Sequence, residues 1–146
     1  MRTAGLALRA AGAHGGDGMP EKSLAAKMYL RQGSRVLLLA APTGYAARIA
    51  PLPAGASLLR SSSGKADWIQ LFVRSRKELE QGLPSAKRRL APGGLLWVSY
   101  AKGGSKLAAD VNREVIMAIA PRFGLQAVAQ VAVDADWSAV RLKVIA

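Results

Sequence analysis

The stretch Leu83-Pro-Ser-Ala-Lys-Arg-Arg-Leu-Ala-Pro-Gly-Gly-Leu-Leu-Trp-Val-Ser-Tyr100 limits the possible folds of this chain more than any other. A basic amphipathic segment ends at Leu90, Ala91 to Gly94 reads as a turn, and an apolar strand leaves it. A strand that is apolar at successive positions needs cover on both faces, and parallel sheets flanked by helices provide it. The stretch therefore predicts a helix feeding a buried, parallel strand.

The rest of the chain fits that frame. Lys22 to Arg31 places Leu24, Ala25 and Met28 on one helical face, and Gly33 follows as a stop. Arg35 to Ala40 is an apolar run of strand length, and Ala41-Pro-Thr-Gly-Tyr45 breaks it as a loop. The Pro-, Gly- and Ser-rich stretch 46–63 supports one helical turn near Ala47 and a short strand from Ala56 to Arg60. Ala66 to Val73 is the next strand. Ser75-Arg-Lys-Glu78 is a capping box, so a helix starts at Arg76; Pro84 predicts a break and a second helical piece to Leu90.

Gly94 to Tyr100 is then a strand, Ala108 to Phe123 a helix stopped by Gly124, and Leu125 to Val133 pairs with Trp137 to Ile145 through Asp134-Ala-Asp136. The expected fold is α/β, a single three-layer domain over residues 21–146. Its sheet is mostly parallel, with an antiparallel C-terminal hairpin. Residues 1–20 read as a disordered extension, and Met19 is a candidate start.

Composition removes whole classes of chemistry. The absence of cysteine excludes disulfides, thiolate metal sites and cysteine nucleophiles. The lone histidine, His14, lies in a Gly-rich tail, where a triad or a zinc site has nothing rigid to stand on. Every apolar run falls short of the roughly 20 residues that span a bilayer, and the poor N-terminal signal pattern suggests a cytoplasmic protein. The net charge of +12 permits attraction to phosphate. Two basic clusters, Arg74, Arg76, Lys77 and Lys87, Arg88, Arg89, flank one helix and form a candidate nucleic-acid face; a solvated surface is the plainer explanation.

Several motifs carry a family likeness. The path Val36–Gly44, Asp67–Val73, Leu90–Tyr100, followed by a helix and a hairpin, resembles Rossmann-like methyltransferases, which enter a central strand through Leu-x-Pro-Gly-Gly. The segments Ala41–Tyr45, Asp67–Ser75, Leu95–Tyr100, Asp110–Arg113 and Asp136–Arg141 are similar to those of an uncharacterised bacterial family of small proteins. The methyltransferase resemblance implies S-adenosylmethionine at a Gly-rich turn after the first strand, here Thr43, Gly44 and Tyr45. It also implies an acid at the end of the second strand to hold the ribose.

This chain departs from that pattern. The turn has one glycine, a proline and no acid, and Arg60 and Ser61 follow the second strand. About 30 residues separate the central strands where two βα units belong, so the cofactor half reads as trimmed.

Other constellations are weaker. Lys102-Gly-Gly-Ser-Lys106 (Lys102, Gly103, Gly104, Ser105, Lys106) follows a central strand and precedes a helix, which suits a small anion or nucleotide. It lacks P-loop spacing. Asp110 and Glu114, four apart on one helical face, suit Mg²⁺ binding or acid and base roles; complementing a helix dipole is the commoner role. Ser138 lacks a base, and Trp68, Trp97 and Trp137 read as core or sheet-edge residues rather than a base-stacking platform. The leading expectation is a non-catalytic binding module with no cofactor and an anion site at the strand ends. The alternatives are an S-adenosylmethionine-dependent methyltransferase and a nucleic-acid binder, and an exposed edge strand allows a dimer.

Overall fold

A computed structural model describes residues 23–60, 64–103 and 110–145. Gly104, Ser105 and Lys106 of the anion loop, the N-terminal extension and His14 lie outside the described residues. The chain runs α1 (Leu24–Lys27), β1 (Arg35–Leu39), α2 (Tyr45–Ile49), β2 (Ser57–Leu58), β3 (Ala66–Val73), α3 (Arg76–Arg89) and β4 (Leu90–Ala101). It continues through α4 (Arg113–Ile119), a 3-10 turn (Ala120–Phe123), β5 (Leu125–Ala132) and β6 (Trp137–Val144). Among the described residues these strands make one six-stranded sheet, ordered β2-β1-β3-β4-β6-β5. The first four strands are parallel, and β6 runs antiparallel to both β4 and β5. This is the α/β fold that the apolar strands predict.

The central strands are apolar on both faces because both faces are covered. Apart from half-buried Asp67, every residue of β3 is buried. On one face Ile69, Leu71, Leu96 and Val98 meet Leu79, Leu83 and Ala86 of α3 and Ile116 and Ile119 of α4. On the other, Val36, Trp68, Phe72 and Trp97 meet Ala25 of α1, Met28 at its end, and Tyr45 and Ile49 of α2. The result is three layers.

The second face is fixed by a polar contact. The Met28 carbonyl accepts the indole N–H of Trp68 at 2.8 Å and that of Trp97 at 3.0 Å. A carbonyl oxygen has two lone pairs, and here both have a buried partner. Beyond Met28 the chain leaves the helix through Tyr29 at φ 56°, which turns Leu30 into the core. The helix expected over Lys22 to Arg31 is thus confined to Leu24–Lys27, capped by the Ser23 hydroxyl, which accepts from Ala26 N–H at 3.1 Å.

Three further boundaries differ from expectation. α3 is one helix through Pro84, because Leu79, Leu83 and Ala86 on both sides of the proline are held by the same core. α4 begins at Arg113, not Ala108, because Asn112 caps it, its side chain accepting from Val115 N–H at 2.9 Å.

The turn expected at Ala91–Gly94 is instead an irregular run inside β4. Ala66 pairs with Leu90 and Trp68 with Leu95, so two steps along β3 oppose five along β4. Gly93 takes φ +77°, and a Cβ on Gly94 would stand 2.9 Å from the Ala91 carbonyl oxygen and 3.0 Å from that of Asp67.

Gly82, on α3, faces side chain instead: its Cβ would meet the Leu71 methyls at 2.9 and 3.0 Å. Backbone oxygens cannot swing aside, whereas leucine methyls can. We therefore expect Gly94→Ala to cost about 1–3 kcal/mol, the range for overpacking. Gly82→Ala should cost less, because helix propensity returns up to about 1 kcal/mol. Urea denaturation of both variants checks the order; an equal or reversed cost contradicts this account of the β4 bulge.

Candidate functional site

From β1 the chain moves outward to β2 and then returns to the other side of β1 as β3. In open α/β sheets ligands sit outside the carboxyl ends of the strands at such a reversal. The loops meeting there are Ala40–Gly44 after β1, Arg74–Ser75 after β3, Lys102–Gly103 after β4, and the Asp134–Asp136 turn entering β6.

The loop after β1 retains a left-handed backbone at two positions, Ala40 at φ 58° and Gly44 at φ 84°. A Cβ on Gly44 would meet no atom within 4 Å, so this glycine faces open space. Ala40 carries the strain of a side chain in that conformation, roughly 1–2 kcal/mol.

Arg74 spans the switch point. Its guanidinium donates to the Ala40 carbonyl at 3.3 Å and lies 5.5 Å from the centre of the Trp137 ring. Its backbone is held in turn, because Arg74 N–H donates to Glu78 Oε1 at 2.8 Å. Glu78 N–H donates to the Ser75 hydroxyl at 3.1 Å, the forward half of the predicted capping box, while the Glu78 carboxylate reaches one residue further back, to Arg74 N–H.

Beneath Arg74 three rings stack edge to face. Tyr45 and Phe72 have centroids 4.7 Å apart, and Phe72 and Trp137 5.2 Å. The turn beside them is braced by Asp134, which accepts from Asp136 N–H, from Trp137 N–H and from Arg48 at 2.8–2.9 Å. Lys102 N–H donates to the Asp136 carbonyl at 2.8 Å, so the β4 loop is tied to the same turn.

The other residues singled out in the sequence are dispersed. Arg74, Arg76 and Lys77 stand at the start of α3, while Lys87, Arg88 and Arg89 stand at its far end, about 15–20 Å away by the helical rise. Arg76 is 3.8 Å from Glu80, Lys87 donates to the Phe123 carbonyl at 2.8 Å, and Arg89 donates to that of Gly64 at 2.9 Å. Asp110 accepts the Arg76 N–H at 2.8 Å, so it complements the dipole of α3 and not that of the helix it precedes. Glu114 points away beside Arg113, and among the described residues no group of His or acids is placed to hold a metal. Thr43 is exposed beside Gly44, and Tyr45 is buried.

Sequence reasoning placed Arg74 in a basic cluster and missed its separate position over the switch point. The signal was there: it is the first charged residue after the apolar run of β3. Arg48, Asp134 and Trp137 were not legible as neighbours of the site, since they come from three distant parts of the chain.

The fold has known relatives. A family model described as a protein of unknown function, DUF3052, matches residues 48–145. The chain belongs to that family. No curated protein matches the sequence. Among solved structures, the DhpI–SAH complex is similar with a TM-score of 0.60 and 12% identity, over 84% of this chain and 82% of that one. The CcbJ methyltransferase from Streptomyces caelestis gives 0.58 and 13%, over 92% and 94%. The Methanococcus jannaschii fibrillarin pre-rRNA processing protein gives 0.59 and 15%, over 88% and 71%. At these identities the likeness establishes the Rossmann-like, methyltransferase-like fold. Among the described residues no helix is long and apolar enough to cross a membrane.

The aromatic floor has a titration signature. Burial pushes the Tyr45 phenol up to about 12 from its ordinary 10, against a smaller downward pull from Gln70. Its hydroxyl lacks a well-formed hydrogen bond, as does Gln70 Oε1, while the Gln70 amide donates to Ser99 at 2.8 Å. An acid whose pKa is raised on folding stabilises the fold fully below its unfolded pKa, and loses that contribution as pH rises through the folded one. Stability should therefore fall between pH 10 and about 12. Ultraviolet titration of phenolate should show a late component that Tyr45→Phe removes; an unchanged curve would refute this burial.

Proposed function

We propose that this chain is a ligand-binding module that keeps the methyltransferase fold without methyl transfer. It takes a small anion at the carboxyl edge of β1, β3 and β4. The observation that carries the reading is the Arg74 guanidinium held across the switch point between Ala40 and Trp137. A fixed cation there attracts an anion and repels the sulfonium of S-adenosylmethionine.

The residues around it point the same way. Between Tyr45 and Asp67 the sequence has no acid, so a carboxylate for ribose hydroxyls is missing where β2 ends and exposed Arg60 stands. Pro42 withdraws one amide from the loop, and Gly44 is its single glycine. These residues do not fit the cofactor. They do fit a phosphate-sized group approached by Arg74, Lys102, Gly103 and the open backbone of Thr43–Gly44. A nucleic-acid strand is less well served, because the two basic clusters stand at opposite ends of α3.

Calorimetric titration tests this at about 150 mM salt, where exposed charges are screened. Adenosine monophosphate and inorganic phosphate should give heat, and Arg74→Ala should weaken either affinity at least about tenfold, or 1.4 kcal/mol. Micromolar binding of S-adenosylmethionine or S-adenosylhomocysteine would overturn the reading and restore the methyltransferase alternative. Binding that Arg74→Ala leaves intact would overturn the placement of the site.

A further inference from the structure

The opposite, amino-terminal edge of the parallel strands carries a cavity of about 590 Å³. Its size lies within the range of about 300–1,000 Å³ typical of small-molecule sites. Three elements build it: the end of α3 with Lys87, the irregular start of β4 from Leu90 to Gly94, and the end of β6 with Lys143 and Val144. Lys65, just before β3, closes the ring.

The β4 irregularity creates the wall. Its surplus residues carry Ala91, Pro92 and Gly93 out of the regular ladder, and the missing Cβ of Gly94 lets that run lie against the Asp67 carbonyl. Bulges of this kind recur beside binding sites because they re-aim a strand locally.

The lining divides into two chemistries. Leu90, Ala91, Pro92 and Val144 supply an aliphatic surface, and Val144 is 48% exposed although apolar. Lys65, Lys87 and Lys143 supply three cations, and among the described residues no acid lines the cavity. Two of the ammonium groups are anchored: Lys65 donates to the Arg88 carbonyl at 2.7 Å, and Lys87 to the Phe123 carbonyl at 2.8 Å. An ammonium has three donors, so one anchoring bond fixes Lys65 in place and leaves others for a ligand. Among the described lining residues no aromatic side chain is present to stack a nucleobase.

We infer that this edge is a second ligand site, distinct from the Arg74 site, for a small amphiphilic anion: a phosphate or carboxylate head on an aliphatic body. The head meets Lys65 and Lys143, and the aliphatic part lies along Leu90, Pro92 and Val144.

Octyl phosphate is the probe, followed by calorimetry on the full chain, with inorganic phosphate and octanol as the separated halves. Octyl phosphate should bind with a Kd below about 1 mM, at least about tenfold tighter than either half alone. Lys143→Glu and Val144→Asp are exposed changes that spare the core, and each should weaken it about tenfold or more. Arg74→Ala should leave it unchanged. The inference is overturned if octyl phosphate fails to bind at about 5 mM, if either half binds as well as the whole, or if Lys143→Glu has no effect. Loss of binding in Arg74→Ala would also overturn it, by moving the ligand to the other edge.

Discussion

The carbonyl of Met28 is the joint on which one whole layer of this protein depends. α1 is a four-residue turn, far too short to be stable by propensity. It is held because its end supplies an acceptor to two indoles from adjacent strands, Trp68 on β3 and Trp97 on β4. The dependence runs both ways. Without that oxygen two donors would be buried unpaired, at about 1–3 kcal/mol each. Without the two tryptophans the turn would have no reason to lie on the sheet. Burial of Val36 and Phe72 on that face follows from this contact and from the short, five-residue α2.

That economy explains the shape of the carboxyl edge. Between β1 and β3 the described chain places only α2 and the two-residue β2. A cofactor as long as S-adenosylmethionine is held in such folds by successive turns and an acid at the second strand's end, and here both are curtailed. The first turn has Ala40 and Gly44 both left-handed. Arg74 then occupies the crossing. Its neighbours are a carbonyl and the π face of Trp137, which hold a cation without neutralising it. A cation held in that way keeps its charge for a ligand.

The layers, the antiparallel C-terminal hairpin and the structural part played by the tryptophans were legible because each follows from a local pattern. Apolar runs imply buried parallel strands, and Asp134-Ala-Asp136 marks a hairpin whose Asp134 does brace the turn. Boundaries were less legible where tertiary packing outweighs a local signal. Pro84 reads as a break, yet Leu79 and Leu83 before it and Ala86 after it are pinned to one core, and the helix runs through. Asp110 reads as belonging to its own helix, yet its carboxylate caps α3. Of the site, the loop positions Thr43, Gly44 and Lys102 were legible from their place after strands. The Arg74–Trp137 contact was not, because it joins residues 63 apart through the sheet.

The Pro-Gly-Gly stretch shows why a family likeness transmits a scaffold more faithfully than a chemistry. Its glycines answer a backbone requirement: a positive φ at Gly93, and carbonyl oxygens within 3.0 Å of any Cβ at Gly94. That requirement belongs to the β4 entry and is indifferent to what is bound at the far edge. The cofactor turn and the ribose acid answer a ligand, and nothing in the packing of β1 or β2 demands them. Selection on stability alone would therefore keep the first set and release the second. In this chain the retained bulge also forms the wall of a cavity ringed by Lys65, Lys87 and Lys143. A feature that the fold requires at the β4 entry thus also shapes a surface at the amino-terminal edge of the strands.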